Sequence, residues 1–251
     1  MAQTDDAAVA RQAPQITFFV PCLNEAENIR GTFQTILSAL AEAPVPYEIL
    51  VVDDASTDNT VAVVEEYQAA HPEVSILLEK KRQNCGLGRN YFSGAHLAHG
   101  RYYMLVNGDN VEHPETLVAL LSNLGRADIL IPYFGRHDHR PWTRRFVSRT
   151  FTGLVNLLNG RDIRYYNGPV AHLRENVART PSSTWGFAYQ AELITRLLSR
   201  GATHLHLEVS GEERQHGVSK AFKPRNLISV GGSLLKILLH RMGLNPWGQT
   251  G

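Results

Sequence analysis

The sequence predicts an α/β domain with a mostly parallel central sheet flanked by helices. Three observations predict it. Short apolar runs of strand length alternate with stretches of helical spacing. Polar clusters stand at the C-terminal ends of those runs, where ligands of parallel sheets bind. The chain has 251 residues, 43% hydrophobic and 20% charged, enough for a sizeable core without disulfides or structural metals.

Ile16 to Pro21 is an apolar run ending in Pro and reads as a buried strand. After Asn24-Glu25, the residues Ile29, Phe33, Ile36, Leu37 and Leu40 recur at helical spacing. Tyr47 to Val52 is a second buried strand, ending in Asp53-Asp54. Thr57, Asp58 and Asn59 are capping residue types that open a helix from about Thr60 to Ala70. Val74 to Leu78 reads as the third strand, Asn84 to Gly88 as a turn, and Asn90 to His99 as a helix. Tyr102 to Val106 is the fourth strand, ending in Asn107-Gly108-Asp109-Asn110. Pro114 starts a helix to about Leu124, and Ala127 to Ile131 is the fifth strand.

Lys and Arg total 25 against 24 Asp and Glu, so the formal net charge is +1. That balance excludes a general nucleic-acid binder. Its distribution is uneven. Seven arginines and two aspartates lie between Arg136 and Arg164, and no acidic residue follows Glu213. A basic cluster of this kind suits phosphate groups. The two cysteines cannot form a disulfide framework and, with no secretory signal in Met1 to Gln15, point to a reducing, cytoplasmic setting. No apolar run approaches membrane-spanning length.

Gly86-Leu87-Gly88 lacks the third glycine of a dinucleotide fingerprint, and no phosphate-binding G-x-x-x-x-G-K-[ST] loop occurs. A dehydrogenase or P-loop enzyme is therefore not indicated. Strand-end carboxylates offer another design. Asp53 or Asp54 accepts hydrogen bonds from base or ribose, and Asp109 meets a hard divalent cation that offsets a leaving diphosphate.

The series Pro21-Cys-Leu-Asn24-Glu25, Val52-Asp53-Asp54-Ala-Ser56-Thr-Asp58-Asn-Thr60 and Asn84-Cys-Gly86-Leu-Gly88 resembles family 2 glycosyltransferases of the GT-A fold. Asn107-Gly108-Asp109-Asn110 takes the place of their Asp-x-Asp motif. The resemblance spans about Ile16 to Val209. It implies sugar transfer from a nucleotide diphosphate sugar with Mg²⁺ or Mn²⁺. The donor would lie against Pro21, Asn24, Glu25, Asp53, Asp54, Asn84, Gly86, Gly108 and Asp109, and the metal against Asn107 and Asp109. Asn107 replaces an Asp, and the third ligand of the family would fall on Val111. An alternative alignment on His113-Pro114 puts Asn110 at the second Asp.

The later half is similar to the dolichyl-phosphate mannosyltransferase-like and bacterial polyprenyl-phosphate group. Arg136, Arg144 and Ser148, the stretch Phe187-Ala-Tyr-Gln190-Ala-Glu192, and Arg214-Gln-His-Gly217-Val-Ser219-Lys220 carry that likeness. It implies a lipid phosphate acceptor held by Arg136, Arg144, Ser148, Arg214, Ser219 and Lys220, with Asp109, Arg136 and Arg214 as the catalytic set. A phosphate is already anionic and needs cations rather than a base, and a guanidinium fork matches it. Arg140, Arg145 and Arg149 are expected to serve surface solubility only. Other readings are a family 2 enzyme with a saccharide acceptor, needing His137, His139 or Glu192 as base, and a catalytically impaired nucleotide-sugar binder.

Residues 1–15 are expected to be a flexible tail, 16–222 the glycosyltransferase domain, and 223–251 a basic, amphipathic segment. That segment suits either the inner membrane surface, alone or through a membrane partner protein, or packing on the protein's own core or in a dimer.

Overall fold

The computed structural model describes residues 13–138, 140–182, 184, 186, 188–211 and 224–247, with side chains for all of these except 136, 137, 211 and 224–228. The strands are β1 (Ile16–Cys22), β2 (Tyr47–Asp53), β3 (Ile76–Lys80), β4 (Tyr102–Leu105), β5 (Ile129–Asp138), β6 (Ala171–Leu173) and β7 (His204–Gly211). The helices are α1 (Ile29–Glu42), α2 (Thr60–Ala70), α3 (Leu87–Leu97), α4 (Pro114–Leu121), α5 (Trp142–Asn159), α6 (Arg174–Ala178), α7 (Tyr189–Ser199) and α8 (Pro224–Arg241).

Among the described residues the strands form one sheet in the order β3-β2-β1-β4-β6-β5-β7. Pairs β1–β2, β2–β3, β1–β4 and β5–β7 are parallel. Only β6 runs against its neighbours β4 and β5. Two reversals restore direction, so β5 and β7 point the same way as β1 and β4. The chain order turns around between β1 and β4, which opens a crevice beyond their C-terminal ends.

Strand alternation divides the core between two faces. Phe18, Val20, Ile49 and Val51 face α1, α2 and α4, whereas Phe19, Leu50 and Val52 face α3 and α7. Burial on both faces is why β1 and β2 read as unbroken apolar runs.

Each predicted strand and helix up to β5 is present, with shifted ends. The helix expected from Asn90 starts at Leu87, because Gly86 turns the chain at φ +86°. The third strand begins at Ile76 rather than Val74. The fifth runs on to Asp138, since pairing with β7 continues through Phe134↔Val209 to Asp138↔Gly211. At the N-terminus, Gln15 N donates to Pro46 O and Arg101 N donates to Pro14 O.

The helix α8 lies on the protein's own body by one face. Ile237 is fully buried and Leu234 packs beside it in the α3–α7 layer. Trp247 Nε1 donates to Glu192 Oε2 at 2.9 Å, and Lys236 Nζ stands 3.7 Å from Glu192 Oε1. Among the described residues no helix is long and apolar enough to cross a membrane.

Candidate active site

The loops after β1 and β2 are stitched together by side chains bonding backbone amides. Asn24, at φ +59°, accepts from Thr57 N at 2.8 Å and Asp58 N at 3.3 Å. Its own N donates to Ser56 Oγ at 2.9 Å. Glu25 N donates to Thr60 Oγ1 at 2.8 Å, and the Glu25 carboxylate accepts from Asn28 Nδ2 at 3.0 Å. Asp58 accepts from Thr60 N at 2.9 Å and Ala26 N at 3.2 Å. Burial opposes ionisation of Asp58, but the bond from the Thr60 hydroxyl, with these amide bonds, holds its carboxyl below the usual range.

The adjacent carboxylates of Asp53 and Asp54 differ in occupation. Asp54 accepts from Cys85 N at 2.7 Å and Gly86 N at 3.0 Å, and so pins the turn that carries Gly86. Asp53 accepts from Ser56 N at 3.1 Å with Oδ2, while its Oδ1 is buried with no hydrogen-bond partner among the described residues. The pair thus supplies one group that shapes the site and one with an acceptor to spare. Pro21 is half-buried at the strand end, and Asn84 is exposed at the start of the pinned turn.

After β4 the chain bends back against β1. A Cβ on Gly108 would lie 2.9 Å from both Cys22 Sγ and Pro21 O, so a larger residue does not fit there. From α1, Thr32 Oγ1 bonds to Asn107 O at 3.2 Å and Gly108 O at 3.1 Å. Asn110, at φ +52°, is tied to α1 through Thr35 Oγ1 at 2.9 Å. Asp109 Oδ1 is buried.

Glu112 is the residue that sequence reasoning missed. One position beyond the expected third ligand, it turns back on the motif. Its carboxylate accepts from Asn107 Nδ2 at 2.6 Å and Asn107 N at 3.2 Å. Burial, with the charge of Asp109, pushes the Glu112 carboxyl up to about 8, although the Asn107 bonds oppose this. The signal was a glutamate just before His113-Pro114. The acidity of the rim also registers on Cys22, whose thiol is pushed far up by burial and by Glu25, Asp53, Asp58 and Asp109.

Such crowding of carboxylates fits a divalent cation. Among the described residues no three His, Cys, Asp or Glu side chains gather as a metal cluster. The donor set is instead two carboxylates and an amide, which suits a hard ion that draws further oxygens from a diphosphate. Asp109 and the Asn107–Glu112 pair would hold it, and the ion would supply charge to balance that diphosphate.

The arginine-bearing segment lies on the same edge of the sheet. β5 runs parallel to β4, two strand spacings or about 10 Å to its side, and the register sets Ile131 level with Leu105, so Arg136 and Asp138 project five and seven residues beyond the end of β4. Arg144 and Ser148 stand one turn apart near the start of α5. Arg140 joins them. It grips Asp138 through two bonds of 2.8 and 2.9 Å, donates to Tyr165 Oη at 3.1 Å, and stacks 3.8 Å over the Phe134 ring. Its Nη2 also reaches Ser148 Oγ at 3.5 Å. The charge of Arg144 acts on the same Tyr165.

Arg140 and Arg145 therefore correct the solubility expectation. The Arg140 side chain is only 13% exposed, and Arg145 Nη1 donates to Asp138 O at 3.1 Å. Both are committed to the bend between β5 and α5, a contact that spacing along the chain does not reveal. Arg149 is exposed as expected. Arg214, Ser219, Lys220, Phe187 and His139 lie outside the described residues, and Arg136 and His137 are placed as backbone of β5 only. Glu192 is buried against Trp247 and Lys236.

An open α/β sheet with carboxylates along its switch-point crevice has the place where sheets of this class bind their ligands. Its sheet and helices are those of the GT-A fold. The chain belongs to glycosyl transferase family 2, whose family model matches residues 17–180. It is 28% identical over 228 residues to polyprenol monophosphomannose synthase of Mycolicibacterium smegmatis, covering 86% of this chain and 84% of that protein. To the undecaprenyl-phosphate 4-deoxy-4-formamido-L-arabinose transferase of Proteus mirabilis it is 21% identical, covering 82% of this chain and 62% of that one. Among solved structures, glucosyl-3-phosphoglycerate synthase of Mycobacterium tuberculosis, with Mn²⁺, uridine diphosphate and glucosyl-3-phosphoglycerate, superposes with a TM-score of 0.63 at 18% identity. That match covers 92% of this chain and 81% of the other. A mannosyltransferase of Pyrobaculum calidifontis, with GDP-mannose and Mn²⁺, superposes with a TM-score of 0.62 at 19% identity, over 94% and 72% of the two chains.

Proposed function

We propose that the protein is an inverting glycosyltransferase that moves a sugar from a nucleotide diphosphate sugar to a polyprenyl, dolichyl-type phosphate. One observation carries this reading: the acidic rim and the arginine-bearing end of β5 and α5 share one edge of the sheet. The names of the two curated relatives support the acceptor class.

In this reading Asp53 Oδ1 receives a base or ribose donor, while Asn24, Asp54 and Gly86 keep the pocket walls in place. Pro21, Glu25, Asn84 and Gly108 complete the donor side. Asp109 and its neighbours serve Mg²⁺ or Mn²⁺. Arg136, Arg144 and Ser148, with Arg214, Ser219 and Lys220, hold the acceptor phosphate. That phosphate oxygen attacks the anomeric carbon in line as the nucleoside diphosphate leaves. The enzyme contributes positioning and charge stabilisation. Such an acceptor places the protein at the inner face of a membrane, alone or with a membrane partner.

The test is sugar transfer from a panel of nucleotide sugars to a prenyl phosphate, with and without Mn²⁺. Asp109→Ala should lower turnover by about a hundredfold or more, and Arg144→Ala should raise the acceptor KM more than the donor KM. Transfer to a saccharide but not to the prenyl phosphate would overturn the acceptor assignment. Nucleotide binding without any transfer would identify a non-catalytic binder.

A further inference from the structure

The end of the sheet away from the acidic rim carries a second concentration of charge. Helix α7 ends at Ser199 and soon hands over to β7, whose first residue, His204, pairs with Ile129 at the start of β5. This corner therefore lies at the N-terminal ends of the strands, opposite the crevice. Here α7 and the last turns of α8 border a cavity of about 390 Å³, lined by Arg196, Arg200, His240 and Trp247. A second cavity of about 160 Å³ adjoins it, sharing Ser199 and His240 and adding Arg161 and Arg241. Four guanidiniums and one imidazole thus line the joined space, and no Asp or Glu lines either part.

The arginines spend their hydrogen bonds on neutral oxygens. Arg161 donates to Leu198 O at 3.2 Å, Arg196 to Pro181 O at 2.7 Å, Arg200 to Thr180 Oγ1 at 3.4 Å, and Arg241 to Leu157 O. Arg196 is the most deeply placed. It is 2% exposed, and its Nη2 is buried with no hydrogen-bond partner among the described residues. Burial, with the charge of Arg200, brings its pKa down to about 10, although Glu192 opposes this. That acid is shared, since Lys236 stands 3.7 Å from one of its oxygens and Trp247 donates to the other. Asp162, beside Arg161, is exposed. His240 feels the excess: burial lowers its pKa, and the charges of Arg196 and Arg200 lower it further.

Buried cations are ordinarily matched by a counter-charge. One shared carboxylate does not match this set, so the corner suits an anion from outside the chain. Geometry selects its class. Guanidinium forks fit phosphate oxygens, and several of them around one space suit more than one negative charge. A cavity of this size holds a small molecule.

We propose that the corner formed by α7, α8 and the end of α5 is a second anion site, which takes a small phosphorylated compound with at least two negative charges through Arg161, Arg196, Arg200 and Arg241. It stands at the opposite end of the sheet from the donor and acceptor residues and does not rest on the glycosyl-transfer reading.

Isothermal titration of the full chain with inorganic pyrophosphate, in chelator and without divalent cations, tests this. One pyrophosphate should bind per chain. Arg161→Gln combined with Arg200→Gln, both at exposed positions, should weaken binding about tenfold or more. Arg200→Gln alone should show part of that loss, with ligand-free thermal melts checking the fold of both variants. Arg144→Gln, at the acceptor end, should stay within about twofold of wild type. Citrate should bind about tenfold more weakly than pyrophosphate. In the wild type, pyrophosphate should slow hydrogen exchange at residues 196–200 and 239–245, a readout that needs no variant. Wild type that does not bind pyrophosphate would overturn the proposal. So would exchange slowed only around the crevice, or binding lost in Arg144→Gln and kept in the Arg161 and Arg200 variants. Citrate bound as tightly as pyrophosphate would overturn the phosphate class.

Discussion

The acidic and basic ends of the site's edge are built by different means. On the acidic side, Asn24, Asp54 and Asp58 bond backbone amides of neighbouring loops, so main chain holds the geometry. On the basic side, Arg140 is held by Asp138, Tyr165 and the Phe134 ring, so side chains hold it. Several independent bonds share the first task, whereas one guanidinium joins most of the second. The lesson is that the donor side should tolerate single losses better than the bend that begins the acceptor side.

The sharpest way to break that contrast is Arg140→Ala. It leaves the carboxylate of Asp138, 5% exposed, without its fork. The expected loss is about 3 kcal/mol of unfolding free energy, read by urea denaturation. A loss under about 1 kcal/mol would mean that the bend is not held by this residue. Next in size is Asp54→Ala, which strands the amides of Cys85 and Gly86. We expect about 2 kcal/mol, with Asp54→Asn recovering part of it. If Asp54→Ala proved more damaging than Arg140→Ala, the contrast would be reversed.

At neutral pH the smallest effect lies at the seam between the two sides. His172 on β6 is fully buried, and burial lowers its pKa to about 3. Its Nδ1 meets Tyr91 Oη at 3.0 Å, while Nε2 has no hydrogen-bond partner among the described residues. The unfolded chain binds a proton near pH 6.5 and the folded one does not. The stabilising contribution is therefore complete above pH 6.5 and is lost progressively as pH falls toward 3. Stability should decline by on the order of 1 kcal/mol per pH unit across that window. Thermal melts of His172→Asn should show a shallower slope. An unchanged slope would assign the acid sensitivity to other groups.

Much of the acidic rim could be read before any coordinates. Buried parallel strands announce themselves as apolar runs, and the residues after them must stand at the strand ends. Asn24, Asp53, Asp54 and Asp109 fall there for that reason. What differs between Asp53 and Asp54 was not legible, because the partners of Asp54 lie across the β3–α3 turn. Glu112 escaped because a one-residue offset in a loop leaves no periodic trace. The β6 strand, three residues long and antiparallel, carries no pattern of its own.

By itself the sequence determined the order of strands and helices up to β5, the two-faced core and the acidic edge, since each depends on local periodicity and on which residues end a strand. Only the tertiary structure decided that β5 realigns with β4 through an antiparallel insert, that Arg140 closes onto Phe134 and Tyr165, and that α5 turns Trp142 and Phe146 outward. Those outcomes depend on which distant surfaces meet, and the energy of such contacts is set by packing in space rather than by neighbours along the chain.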